Sequence, residues 1–226
     1  MKKFGLIIFI AASVIGVAFS TSCSFSGKLG KISGVQGSGN SKTEKRNVSG
    51  FNKIDVGNAV NVEVAVGGGF SVEVTADDNL LANIRTEASG DTLKIYSADS
   101  ISTKTPVNVK VTMPEIENFE ASGASSGVLT NVKADDLELK ASGASKIKIE
   151  GTAQELNAEV SGASSLEALN LKLQDAKVEA SGASKAAVSV SGDLDANASG
   201  ASKIIYSGAP KNIKQDSSGA SSITAS

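Results

Sequence analysis

The chain has 226 residues with a formal net charge of −2, no histidine, no tryptophan and one cysteine. That composition excludes His-based metal sites, thiol pairs and histidine-dependent triads, and a chain that is not basic lacks the phosphate-binding face a nucleic-acid partner requires. Aromatics are scarce, so any core must be built from small and β-branched residues.

Residues 1–22 have the pattern of a secretion signal: Lys2 and Lys3, then an uncharged apolar run from Phe4 to Phe19. Loss of the two lysines with a leader brings the charge from −2 to −4. Ser20-Thr21-Ser22-Cys23 resembles the lipobox of bacterial lipoproteins, in which the cysteine becomes the lipidated N-terminus; Ser20 stands where an aliphatic residue is usual. The competing reading is ordinary cleavage after Ser20, in Ala18-Phe19-Ser20. The first reading makes the protein an exported outer-membrane lipoprotein, facing the surface or the periplasm, attached through a lipid on Cys23. Residues 23–47 then read as a Ser/Gly/Lys-rich flexible tether.

Residues 48–113 contain short alternating stretches such as Asn61-Val62-Glu63-Val64 and Leu93-Lys94-Ile95-Tyr96, separated by Gly-rich turns. They predict irregular, larger β coils that cap the front of a more regular C-terminal part. Asp78 to Ala88 reads as a short helix or a strand, with Ile84-Arg85-Thr86 favouring strand.

Residues 114–226 are repetitive. Ser122-Gly123-Ala124-Ser125 recurs with its first serine at 142, 161, 181, 199 and 218. A near-constant period of that size is a solenoid signature. Apolar residues alternate with polar ones before each corner (Leu137, Leu139, Ala141) and after it (Ile147, Ile149), which is the half-buried strand pattern. The expected fold is all-β: a right-handed parallel β-solenoid with coils of about 19–20 residues, its corners spaced about 4.8 Å along the axis. The corner glycines Gly123, Gly143, Gly162, Gly182, Gly200 and Gly219 are expected at positive φ, the alanines in a space too tight for more, and the serines stacked on one another or bonded to backbone. At the rear only a polar Ser-Thr-Ser end blunts the last coil.

These residues carry a resemblance. Phe51-Asn52-Lys53-Ile54-Asp55-Val56, Val62-Glu63-Val64, Leu93-Lys94-Ile95, Val109-Lys110-Val111-Thr112-Met113-Pro114 and the repeated corners resemble the head GIN domain family, which is labelled “putative auto-transporter adhesin”. The family's Gly-Ile-Asn falls on Ala59-Val60-Asn61, where only the Asn is kept. The resemblance implies an all-β solenoid on a cell-envelope protein.

Two columns of charge arise from the period. Asp136, Glu155, Asp175 and Asp193 each lie six residues before a corner serine. They form either a column that attracts Ca²⁺ or a cationic partner, or hydrated acids at turns bonded to local backbone. Lys146, Lys185 and Lys203 come directly after the corners and form either a rail for an acidic glycan or a solvated face. No catalytic constellation and no cofactor is legible. The expected function is non-enzymatic: an adhesin-like binding or scaffold surface for a glycan or protein, with self-association through a coil end as a further reading. The alternative is a polysaccharide-active β-helix enzyme using carboxylates and Lys or Arg.

Overall fold

The computed structural model describes residues 34–226; the signal, Cys23 and the start of the tether lie outside them. Short strands open the described part: Val35–Gln36 (β1), Ser41–Arg46 (β2), Lys53–Val56 (β3), Asn61–Val66 (β4) and Ser71–Asp77 (β5). A single 3₁₀ stretch, Asp78–Asn83, leads into Ile84–Ser89 (β6), so the Asp78–Ala88 segment is helix first and strand after. Thr92–Ser97 (β7), Ile101–Ser102 (β8), Asn108–Met113 (β9) and Asn118–Ala121 (β10) complete the irregular part.

The repeats continue as Ser126–Ala141 (β11), Lys146–Val160 (β12), Ser165–Ala180 (β13), Lys185–Val190 (β14), Asp193–Ala198 (β15), Lys203–Gly208 (β16), Asn212–Ser217 (β17) and Ser222–Ala225 (β18). Each coil pairs in parallel with the next, and successive corners stack in register. β11 to β13 are 15 or 16 residues long because each rounds a second corner without a break, at register shifts such as that between Leu129 and Val132.

The interior is a set of side-chain files. Phe119, Leu139, Ala158, Val178 and Ala196 pair in sequence down one sheet, and all are buried. Val62, Gly127, Ile147, Leu166, Ala186 and Ile204 do the same down the other. Gly127 breaks its file for a steric reason: a Cβ there would overlap the Phe119 ring. The core thins toward the rear, where residues 211–220 are all exposed.

The front does not stack in chain order. β3 lies between β7 and β10, and β4 between β9 and β11, so the first coil formed is the second in space. The front face is finished by antiparallel strands: β6 on β7, β5 on β9, and β2 on β5.

Two expectations fail against this fold. The tether reading does not extend to residue 47, because Ser41–Arg46 pairs antiparallel with β5 over six residues. Its polar composition is that of an exposed edge strand guarded by charge. The corner alanines are not packed: Ala124, Ala144, Ala163, Ala183, Ala201 and Ala220 are exposed. Their amides reach the carbonyl of the preceding coil's glycine, at 2.7 Å in each pair from Ala144 to Ala220, while the methyl groups point outward.

Candidate binding surfaces

The six corner glycines have φ between +70° and +76°. Five of them also carry a contact requirement. A Cβ on Gly143, Gly162, Gly182, Gly200 or Gly219 would sit 2.5–2.8 Å from the carbonyl oxygen of the glycine one coil earlier. The fourth residue of each corner turns inward. Ser145, Ser184, Ser202 and Ser221 donate their hydroxyls to Ala121, Val160, Ala180 and Ala198 of the preceding coil at 2.9–3.0 Å. Ser145 and Ser164 also meet hydroxyl to hydroxyl at 3.4 Å. These serines clamp coils together and are not available to a ligand.

The first coil's corner is Gly57-Asn58-Ala59-Val60, since Ser122 donates its amide to Val56 across it. Asn58 and Ala59 both take positive φ there, 60° and 61°. Ala59 thus holds a backbone conformation that favours glycine. Asn61, the retained Asn, reaches in two directions: it donates to Asn108 at 3.2 Å and accepts from Ser126 at 2.7 Å. It joins the three front coils of that sheet.

The acidic column is in register. Asp136 pairs with Glu155, Glu155 with Asp175, and Asp193 with Asn212, while Asp175 accepts the Asp193 amide at 2.6 Å. Asn212 donates to Asp193 at 2.8 Å. Among the described residues no group of three or more acidic side chains is arranged to hold a metal ion. The column forms part of a broad open groove of about 1460 Å³, lined by nine carboxylates and three lysines. Glu138, on its wall, is held below the usual carboxylate range by its hydrogen bond from Lys140, then by that from Asn118. Asp195 is held down in the same way, first by Lys214 at 2.8 Å. A general acid needs the opposite shift.

The lysine row also lies in register and is longer than its lysines. Asn108, Asn61, Ser126, Lys146, Ser165, Lys185, Lys203 and Ser222 occupy eight successive rungs. At one coil per rung the file runs about 34 Å along the axis. Lys146 pairs with Glu167 at 2.7 Å; Lys148, Lys185 and Lys203 make no ion pair among the described residues. One side of the solenoid is therefore acidic, and the sheet that carries the lysine row is weakly basic.

A buried carboxylate escaped the sequence reading. Asp77 has no exposed surface and accepts the Gly39 amide at 3.0 Å, the Lys104 amide at 2.9 Å and the Thr105 hydroxyl at 3.0 Å. It ties the first described segment and the loop after β8 to the end of β5. Its pKa is lowered, chiefly by the Lys104 amide.

A family described as “Putative auto-transporter adhesin, head GIN domain” matches residues 50–210. Among solved structures, a “putative adhesin” from Bacteroides fragilis is similar at 21% identity and a TM-score of 0.69, over 85% of this chain and 100% of that one. A “putative lipid binding protein” from Parabacteroides distasonis is similar at 21% identity and a TM-score of 0.55, over 86% and 100%. At that identity the likeness is one of fold. No curated protein matches.

Proposed function

The chain belongs to the head GIN domain family of adhesin type, and from that premise we propose that it is a lipid-anchored cell-envelope protein whose solenoid is an adhesin-like binding and scaffold surface. The anchor in this reading is a lipid on Cys23. The contact surface is the sheet that carries the eight-rung file from Asn108 to Ser222. That file is the observation that carries the reading. It repeats polar and cationic groups at about the coil spacing over a length no single small molecule needs, which suits an extended polymer bound by many weak contacts. The polysaccharide-active alternative would use the carboxylates and lysines of the acidic groove.

Cells carrying the chain and cells deleted for it are compared for retention on surfaces coated with sulfated glycan, neutral glycan and extracellular-matrix protein. The reading expects retention on at least one surface to fall on deletion and return on complementation. Equal retention on all three contradicts it. Mass spectrometry of the mature N-terminus tests the anchor: a lipid-modified Cys23 supports it, and an unmodified peptide beginning at Thr21 refutes it.

A further inference from the structure

The two ends of the solenoid are finished differently. At the front, the outermost strands are antiparallel additions rich in charge. β2 has Lys42, Glu44, Lys45 and Arg46 among its six residues, and β6 carries Arg85 and Glu87. At the rear, β17 pairs only with β15 and β18 only with β16. β18 has no charged residue and no proline. The carbonyls of Ala198, Gly200 and Ser202 each accept an amide from the next coil. Their equivalents on Ser217, Gly219 and Ser221 accept none among the described residues.

The geometry points to a second copy of this chain on that edge, joined rear to rear about a two-fold axis. The register comes from the backbone and the charges. The amides of Asn212 and Ser218 point back to Gly192 and Ala198. Alternation along the strand then aims the backbone groups of Ile213, Gln215 and Ser217 outward. Three antiparallel two-fold registers bond more than one of these residues within β17, those centred on residue 214, 215 or 216. The first opposes Lys214 to its own copy and the last opposes Asp216 to its own copy, both like-charge pairs. Only the register centred on Gln215 opposes Lys214 to Asp216 of the second copy, twice. Lys214 already lies 2.8 Å from Asp195, so in the dimer it stands between two carboxylates. The contact is isologous and therefore closes at two copies.

Cysteine cross-linking in the full chain, in the envelope of the cell that makes it, tests this. The parent has only Cys23 and serves as the control. Directly bonded antiparallel partners have Cα atoms about 5.5 Å apart, within disulfide range. Gln215→Cys is expected to give a covalent dimer on mild oxidation, at least several-fold above the parent. Ile213→Cys alone and Ser217→Cys alone are expected to stay near the parent, while cells co-expressing the two give the dimer. No excess dimer from either Gln215→Cys or the co-expressed pair overturns the proposal. Equal cross-linking by Ile213→Cys alone overturns the register centred on Gln215.

Discussion

Replacing Gly162 by alanine separates two effects that the corner combines. Gly162 has φ +73°, where a side chain costs about 1–2 kcal/mol. A Cβ there would lie 2.5 Å from the Gly143 oxygen and 3.1 Å from its nitrogen, so the coils must part. Parting them weakens the 2.7 Å bond from the Ala163 amide to that same oxygen, a further loss of about 1 kcal/mol. The expected cost is about 2–3 kcal/mol. Gly90 supplies the control: its φ is +63° but a Cβ would meet nothing within 4 Å. Gly90→Ala should cost only the φ penalty, about 1–2 kcal/mol. In a domain of this size 1 kcal/mol shifts the melting temperature by about 2–4 °C. The two variants should therefore fall about 8 °C and about 4 °C below the parent in thermal unfolding monitored by far-ultraviolet circular dichroism. Equal shifts would refute the claim that the glycine column is required by the neighbouring coil as well as by φ.

Ala59→Gly relieves a positive φ at the first corner and is expected to stabilise the fold by about 0.5–1 kcal/mol in urea denaturation; a loss of stability contradicts that assignment. Ser202→Ala removes a buried hydroxyl bond to Ala180 and should cost about 1 kcal/mol, whereas Ala201→Ser, on the exposed side of the same corner, should stay within about 0.5 kcal/mol. Asp77 gives a pH dependence. Its folded pKa lies below the unfolded value near 3.9, so its stabilising effect is complete above about pH 4 and fades as pH falls through the folded value. Asp77→Asn should lower the melting temperature at pH 7 and narrow its gap to the parent as pH falls below about 4; a gap that does not change with pH contradicts the latch.

The repeat was legible because one corner recurs with its chemistry intact. Alternation on either side fixed which residues face inward, and a constant offset from the corner placed Asp136, Glu155, Asp175 and Asp193 in one file. The front was less legible for a physical reason. Which coil lies outermost is decided by pairing between distant segments, β3 with β7 and β4 with β9, and no local pattern records that order. β2 was hidden because an edge strand exposed on both faces has no alternation to read. The alanine row misled because a small residue fits an exposed corner as readily as a tight one. The groove's charge was only partly visible. Its wall gathers Glu115 and Glu117 from the segment entering β10, and Lys53 from β3, beside the repeat. Asp77 was missed because its three partners lie 27 to 38 residues away along the chain.

Display of the solenoid as a binding surface at the cell envelope is tested most directly on intact cells, probed with an external protease and with an antibody against residues 114–226. A displayed surface predicts antibody labelling and loss of the full-length band on intact cells. Complete protection until the outer membrane is opened, with labelling only afterwards, would contradict it.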